Sequence, residues 1–286
     1  MQVRSEVLSR KRLGAYHLLT LVAPGIGESA RPGQFVALAV GGANTGMLLR
    51  RAFAIHTATP AGAYGGTVQF AVDVHGPGTA WIAELRQGDP VDVVGPLGTP
   101  FRLPARPVPA VLVGGGYGSA PLYPLAEALR ARDCRVDVLL GAATAERIFA
   151  ELELKRASTS LRVTTDDGSA GRKGLITDVL PETIEKAKAG VVYACGPMAM
   201  LRACAEVAES YGIACQVAVE ESMACGIGVC MTCVLPIVGD DQVTRMTRSC
   251  VEGPVFSAER VRWADVGTVP VDALGAGMVE LPAGAS

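Results

Sequence analysis

The sequence predicts a multi-domain chain. An antiparallel β-barrel comes first, a doubly wound parallel α/β sheet follows, and a small cysteine-rich C-terminal unit ends it. Three observations carry this. Short alternating stretches broken by turn residues fill the first hundred positions. Continuous apolar strands alternating with amphipathic helices fill the next hundred. Four of the eight cysteines then crowd into residues 225–250. A length of 286 residues suits about two domains plus an extension at roughly 100–200 residues each.

The first unit is expected over residues 1–103. AYHLLTLVA, GQFVALAV, AFAIHTA, GTVQFAVDV and DPVDVVGP alternate in the manner of half-buried strands, with Gly and Pro between them. A helix is expected from Thr79 to Leu85, after Gly76-Pro77-Gly78. Arg50 and Arg51 head the strand Ala52-Phe53-Ala54-Ile55. An arginine placed there can fork onto a flavin pyrophosphate, and the turn before Thr79 can receive an anion. A surface arginine pair and plain hairpin turns are the more ordinary explanation of the same residues when each is read alone.

The second unit is expected over residues 104–217. VPAVLVGG precedes the helix APLYPLAEALRAR, RVDVLLGA precedes a helix over AERIFAELELKRA, and LRVTTDD precedes LITDVLPETIEKAKA. VVYACGP then leads into MAMLRACAEVAESYG. Such alternation is that of a parallel sheet covered on both faces. Gly114, Gly115, Gly116 and Gly118 join the first strand to its helix and let a pyrophosphate approach the backbone. Other strand ends carry Asp166-Asp167 and Cys195-Gly196-Pro197. The two aspartates fit ribose hydroxyls and fit a cap on the next segment equally. As ribose ligands they favour NAD over NADP. Cys195 faces the crevice at the carboxyl end of its strand, or is an inert thiol.

The third unit, residues 218–286, holds Cys225, Cys230, Cys233 and Cys250 in the spacing C-x4-C-x2-C-x16-C. That is the plant-type spacing for a [2Fe-2S] cluster. Gly226 and Gly228 allow the loop to wrap with φ > 0. Zinc is the main competing reading, but only one C-x2-C knuckle is present. From about Thr268 the tail is rich in Gly, Ala, Pro and Val, and suits either a flexible end or a docking segment.

Charge and composition narrow the field. Lys and Arg number 26 against 28 Asp and Glu, so the charge balance gives no expectation of a basic field for nucleic acid. Apolar runs are broken well short of the roughly 20 residues that a membrane span needs. The N-terminal charges have no apolar segment behind them, so no secretory signal is expected. Clustered rather than evenly spread cysteines point to a reducing, cytoplasmic setting.

In this order the three units resemble the ferredoxin-NADP reductase superfamily. More narrowly, they resemble the electron transfer subunits of type B, NAD-dependent dihydroorotate dehydrogenases. The motifs that carry the likeness are LLRRAFAI, GPGT, DVVGPLGTPF, LVGGGYGSAPLYPLAEAL, YACGPMAML, EESMACGIGVCMTC and SCVEGPVFSAERVRW. The resemblance implies FAD between barrel and nucleotide unit, one [2Fe-2S] cluster on the four cysteines, and NAD as co-substrate. It also implies a heterotetramer of two such chains with two FMN-containing catalytic subunits, serving pyrimidine biosynthesis. Arg51, Ala52, Phe53 and Ala54 fall on the family's Arg-Pro-x-Ser flavin strand, with only the arginine kept. Phe70, Ala71 and Val72 match a strand passing the flavin, and Gly78 with Thr79 match a phosphate turn. Cys195, Gly196 and Pro197 would edge the meeting point of nicotinamide and flavin. Related flavin–iron-sulfur subunits of hydrogenases or ferredoxin-NAD(P) oxidoreductases share the order, and a non-enzymatic zinc module is the rival of another class.

Overall fold

The computed structural model describes residues 1–42, 45–60, 62–63 and 65–277. The first sheet contains β1 (Gln2–Leu13), β2 (Tyr16–Val22), β3 (Phe35–Leu38), β4 (Arg51–Ala54), β5 (Thr57–Thr59), β6 (Thr67–Val72) and β7 (Pro90–Leu97). All its pairings are antiparallel, in the order β4-β3-β7-β1-β2-β6-β5. The outermost strands β4 and β5 are separated in the chain by only Ile55 and His56. The sheet therefore curls to bring its two edge strands near each other, but among the described residues no ladder pairs β4 with β5, so the expected barrel appears as a curled open sheet. Ile55 N–H donates to Gln34 O at 3.0 Å and His56 N–H to Gln69 O at 2.7 Å, bracketing the seam. Across the curl the rings of Phe53 and Phe70 stack at 5.0 Å. Leu19, Leu21, Val36, Val68, Phe70 and Val93 fill the interior. A short helix α1 (Ile26–Ser29) follows β2, and α2 (Pro77–Glu84) replaces the helix expected at Thr79 to Leu85. Proline at its first position explains the earlier start, since the ring presets φ and the missing N–H has no helical partner to lose.

The second sheet is parallel through most of its width. It contains β8 (Ala110–Gly115), β9 (Val136–Ala142), β10 (Ser160–Thr165), β11 (Arg172–Lys173), β12 (Val191–Cys195) and β13 (Ala214–Ala218). The order β11-β10-β9-β8-β12-β13 reverses direction of growth between β8 and β12. That is a topological switch point, where ligands bind beyond the carboxyl ends of the strands. α3 (Leu122–Arg130), α4 (Glu151–Ala157), α5 (Leu180–Ala187) and α6 (Met198–Ser210) cover the two faces. Burial on both sides matches the apolar runs: Ala110, Val111, Leu112 and Val113 are all fully buried.

One expected helix is interrupted. Over AERIFAELELKRA the chain makes a single 3-10 turn at Ala145–Arg147, then breaks, and α4 begins only at Glu151. Phe149 is the cause. Its ring is buried between the sheets, and its carbonyl accepts from Ser119 Oγ at 3.0 Å instead of from a helical N–H.

The C-terminal segment is less separate than its composition suggests. A hairpin, β14 (Val234–Val238) and β15 (Thr244–Arg248), stands alone, but β16 (Val255–Ser257) adds to the second sheet antiparallel to β13. The tail up to residue 277 lies back on the hairpin. Leu274 N–H donates to Thr244 O at 2.8 Å, Arg262 Nη1 donates to Asp272 Oδ1 at 2.6 Å, and Ala273 is buried. Residues 278–286 of the tail lie outside the described residues.

Candidate cofactor clefts and cysteine loop

Two clefts open at the junction of the sheets. The first lies between them, lined by Arg51, Ala52, Phe53 and Ala54 of β4, Ala71 of β6, Thr79 of α2, and Gly118, Cys195 and Gly196 from the parallel sheet. Strand alternation sorts the β6 residues. Ala71 faces this cleft, whereas Phe70 and Val72 point into the core of the first sheet. Gly78 does not line the cleft but shapes it: a Cβ there would come within 2.7 Å of Arg51 Nε and 3.0 Å of Nη2. The guanidinium therefore lies over the first turn of α2, where N–H groups have no helical acceptor. Thr79 Oγ1 is engaged within that turn, accepting from His75 N–H at 2.9 Å and Gly76 N–H at 3.1 Å.

The second cleft lies at the carboxyl ends of the parallel strands. Gly115, Gly116, Gly141, Ala142, Ala143, Asp166, Pro197 and Met200 line it, with Arg147 on its rim. Gly116 has φ 54, and a Cβ on Gly115 would sit 2.8 Å from Pro197 Cδ, so the turn is built for backbone approach. Gly114 has a packing role instead: its missing Cβ would meet Ser119 Cβ at 2.6 Å. Gly118 and Gly196 touch backbone to backbone, a Cβ on Gly118 falling 2.7 Å from Gly196 Cα. The two aspartates separate. Asp166 lines the cleft, while Asp167 accepts from Ser169 N–H at 2.9 Å and from Ser169 Oγ at 2.6 Å. Those bonds lower the Asp167 carboxyl below its usual range.

Cys195 ends β12 and is buried against the first cleft, and burial pushes its thiol up to about 12. Cys134, Cys204 and Cys215 are buried, as expected of packing residues.

Among the described residues no three His, Cys, Asp or Glu side chains gather closely enough to hold a single ion. The four clustered cysteines lie instead as two pairs. Cys225 and Cys230 lie on the exposed side of the loop, while Cys233 and Cys250 pack together in one buried cluster. A tetrahedral zinc site needs four ligands on one ion, whereas two irons with two thiolates each fit two pairs. Backbone amides already point at the sulfurs: Ile227 N–H lies 3.5 Å and Val229 N–H 3.4 Å from Cys225 Sγ. Burial raises the Cys225 thiol, but the amides of Ile227, Cys230 and Val229 outweigh it and bring it to about 6. Gly226 and Gly228 supply the loop's turns at φ 71 and 84. The inner pair packs with Phe35, Leu97 and Met223, so the loop sits on β3 and β7 of the first sheet. Phe35 and Met223 also line the first cleft.

With that geometry in place, the relatives are informative. Residues 220–262 match the iron-sulfur cluster binding domain of dihydroorotate dehydrogenase B, and residues 112–206 match the oxidoreductase NAD-binding domain. The dihydroorotate dehydrogenase B (NAD(+)) electron transfer subunit of Geobacillus kaustophilus is 39% identical over 264 residues, covering 91% of this chain and 97% of its own. That of Desulforamulus reducens is 32% identical over 265 residues, covering 91% and 99%. The chain belongs to this family. Among solved structures, an NADH-dependent reduced ferredoxin-NADP oxidoreductase superposes with a TM-score of 0.79 at 30% identity, covering 92% of this chain and 91% of that one. A Neisseria gonorrhoeae ferredoxin NADP+ reductase shares the fold at a TM-score of 0.59 and 20% identity, over 74% of this chain and 92% of its own.

Several further side chains line the clefts. Asp73, Tyr117, Glu220 and Glu221 line the first cleft, and Tyr16, Tyr117, Arg147 and Glu220 the second. Glu220 follows the carboxyl end of β13, so the strand-end rule that singled out Cys195 also points to it.

Proposed function

We propose that the chain is the NAD-linked electron transfer subunit of a dihydroorotate dehydrogenase B. In this reading it carries electrons from an FMN-containing subunit that oxidises dihydroorotate, in pyrimidine biosynthesis in the cytoplasm, within a two-plus-two heterotetramer. Residues 1–103 serve as the FAD-binding unit, 104–217 as the NAD-binding unit and 218–286 as the cluster unit. The observation that carries the reading is the position of Phe35, which packs on Cys233 and Cys250 and also lines the first cleft. It makes the cysteine loop and that cleft immediate neighbours.

When bound, FAD and the [2Fe-2S] cluster supply the exchange between one-electron and two-electron traffic. The chain's residues position them. Arg51 and the first turn of α2 would hold the flavin pyrophosphate, with Ala52, Phe53, Ala54, Ala71 and the Gly78–Thr79 turn forming the bed. Ala54 offers no hydroxyl, so polar contacts at that point fall to backbone. The Gly115–Gly116 turn would admit the dinucleotide phosphates, and Asp166 the ribose hydroxyls. Cys225 and Cys230 would hold one iron, Cys233 and Cys250 the other. All eight cysteines are free thiols, which suits a reducing compartment. No helix of the described residues is long and apolar enough to cross a membrane.

The likeness to the ferredoxin-NADP oxidoreductase favours one second reading, a reductase whose partner is a ferredoxin. Co-purification followed by a dihydroorotate:NAD+ assay on the complex decides. Coupled NAD+ reduction is the expected result. A colourless protein with stoichiometric zinc, or a complex inert to dihydroorotate but active with reduced ferredoxin, would sink the first reading.

A further inference from the structure

Two segments carry the clustered cysteines: the loop of Cys225, Cys230 and Cys233, and the turn of Cys250. Arg248 joins them. It ends β15 and donates from Nη1 to Gly228 O in the loop at 3.0 Å. The other edge of its guanidinium is held by Glu252, which accepts from Nε at 3.3 Å and also from Nη2. The backbone brings Glu252 there. Its N–H donates to Arg248 O at 3.0 Å, closing a single turn with Cys250 at its centre. The fit at Gly228 is close: φ is 84, and a Cβ there would lie 2.5 Å from Val251 Cγ2.

The consequence falls on the next amide. In a trans peptide the C=O and the following N–H share a plane and point in opposite directions. Arg248 holds the carbonyl end of the Gly228–Val229 peptide. The other end, the Val229 N–H, lies 3.4 Å from Cys225 Sγ. A carbonyl that accepts from a cation also makes its own peptide N–H a stronger donor. Hydrogen bonds to the sulfurs help set the reduction potential of an iron-sulfur cluster. Resting on the assignment of the four cysteines to a [2Fe-2S] cluster, we propose that Arg248 is a positioning residue for its potential. Gripped by Glu252, it fixes the peptide that aims the Val229 N–H at Cys225. Reduction adds one electron and one negative charge, so this donor favours the reduced form.

The guanidinium also brings a positive charge near the sulfurs, which by itself favours reduction. Glu252 separates the two effects. As a bare charge it opposes reduction, so its removal would raise the potential. As the brace of Arg248 it supports reduction, so its removal lowers the potential. The test uses the full chain purified with its cluster. Midpoint potentials are measured by mediated titration with dithionite, followed by EPR, for wild type, Arg248→Met and Glu252→Ala. Arg248→Met is expected to shift the one-electron equilibrium about tenfold towards the oxidised form, the effect of losing one hydrogen bond. That corresponds to a potential about 59 mV lower. Glu252→Ala is expected to move it in the same direction by a smaller factor. Pulsed EPR on protein with isotopically labelled valine nitrogen is expected to show a weaker Val229 coupling in both variants.

A potential in Glu252→Ala that rises or stays constant overturns the proposal, because the pair then acts through charge alone. So does an unchanged valine coupling in Arg248→Met. Glu252→Ala keeps Arg248 and all four cysteines, so the sign is readable even if Arg248→Met holds less iron. A wild-type chain with no iron and no EPR signal on reduction sinks the cluster assignment itself, and the proposal with it.

Discussion

The guanidinium of Arg51 occupies the space that a side chain at Gly78 would need, with Nε 2.7 Å from the position of a Cβ there. Glycine at 78 is thus a condition for the arginine to lie over the first turn of α2. Gly78→Ala would displace the tip of a flexible side chain, so the fold tolerates it. The anion clamp does not survive the displacement. A charge-assisted hydrogen bond contributes about 1.5–3 kcal/mol, so FAD is expected to bind roughly 10- to 100-fold more weakly. The apoprotein melting temperature should be unchanged. Arg51→Lys should weaken FAD in the same direction, because an ammonium cannot fork onto two phosphate oxygens. Equilibrium dialysis of FAD against each variant measures this, and full retention in both would remove Arg51 from the site.

His56 ties the two sheets together and gives the interface a pH dependence. It is buried, with Nδ1 2.9 Å from Ala120 O and its ring 5.0 Å from that of Phe149. Burial lowers its pKa below the usual value of 6.5, outweighing the hydrogen bond to Ala120. The folded state therefore binds the proton less readily than the unfolded state. Stability is complete above the unfolded pKa and is lost as pH falls through 6.5 towards the folded value. Melting temperature should drop on acidification from pH 7.5 to about 5.5. His56→Asn keeps a donor towards Ala120 without the titration and should flatten this part of the profile. An equal slope in wild type and variant would assign the acid sensitivity elsewhere.

Local pattern carried most of the fold, and its failures have identifiable causes. Period-two alternation and apolar runs marked the strands because half-buried and fully buried sheets impose them directly. The order of strands across the curl and the attachment of β16 to β13 are non-local pairings that no local pattern encodes. The break before α4 depends on where Phe149 finds its pocket, a tertiary matter. In the site, motif glycines marked the backbone turns. Alternation alone could have separated Ala71 from Phe70 and Val72. Tyr117 lies inside the glycine motif, and no local pattern marks its side chain as one that lines the clefts.

Asp166 and Asp167 were indistinguishable as a dipeptide and differ once folded. Asp167 spends its carboxylate on Ser169, while Asp166 faces the second cleft. Asp166→Ala should raise KM for NADH about tenfold, the effect of losing a ribose hydrogen bond to a charged acceptor, and narrow the preference over NADPH. Asp167→Ala should leave KM unchanged and lower the melting temperature, because it unties the turn at Ser169. Steady-state kinetics with both dinucleotides decides, and equal effects of the two variants would contradict the division of labour.

The paired arrangement of the four clustered cysteines predicts a separable loss. Cys225 does not line the first cleft, and the amides of Ile227 and Val229 in its own loop point at its sulfur. Cys225→Ser should therefore leave FAD content and the bleaching of flavin by NADH intact. It should remove the cluster's visible absorption and abolish reduction of NAD+ by dihydroorotate in the complex with the catalytic subunit. Flavin and iron analysis, run beside both assays, reads each part separately. If the loop were a structural zinc knuckle, the same substitution would lower stability without separating the two activities. If the cysteines had no part in transfer, coupled turnover would persist at the wild-type rate. Loss of the coupled reaction alone is the outcome that assigns the pairs to an electron path running past Phe35 into the first cleft.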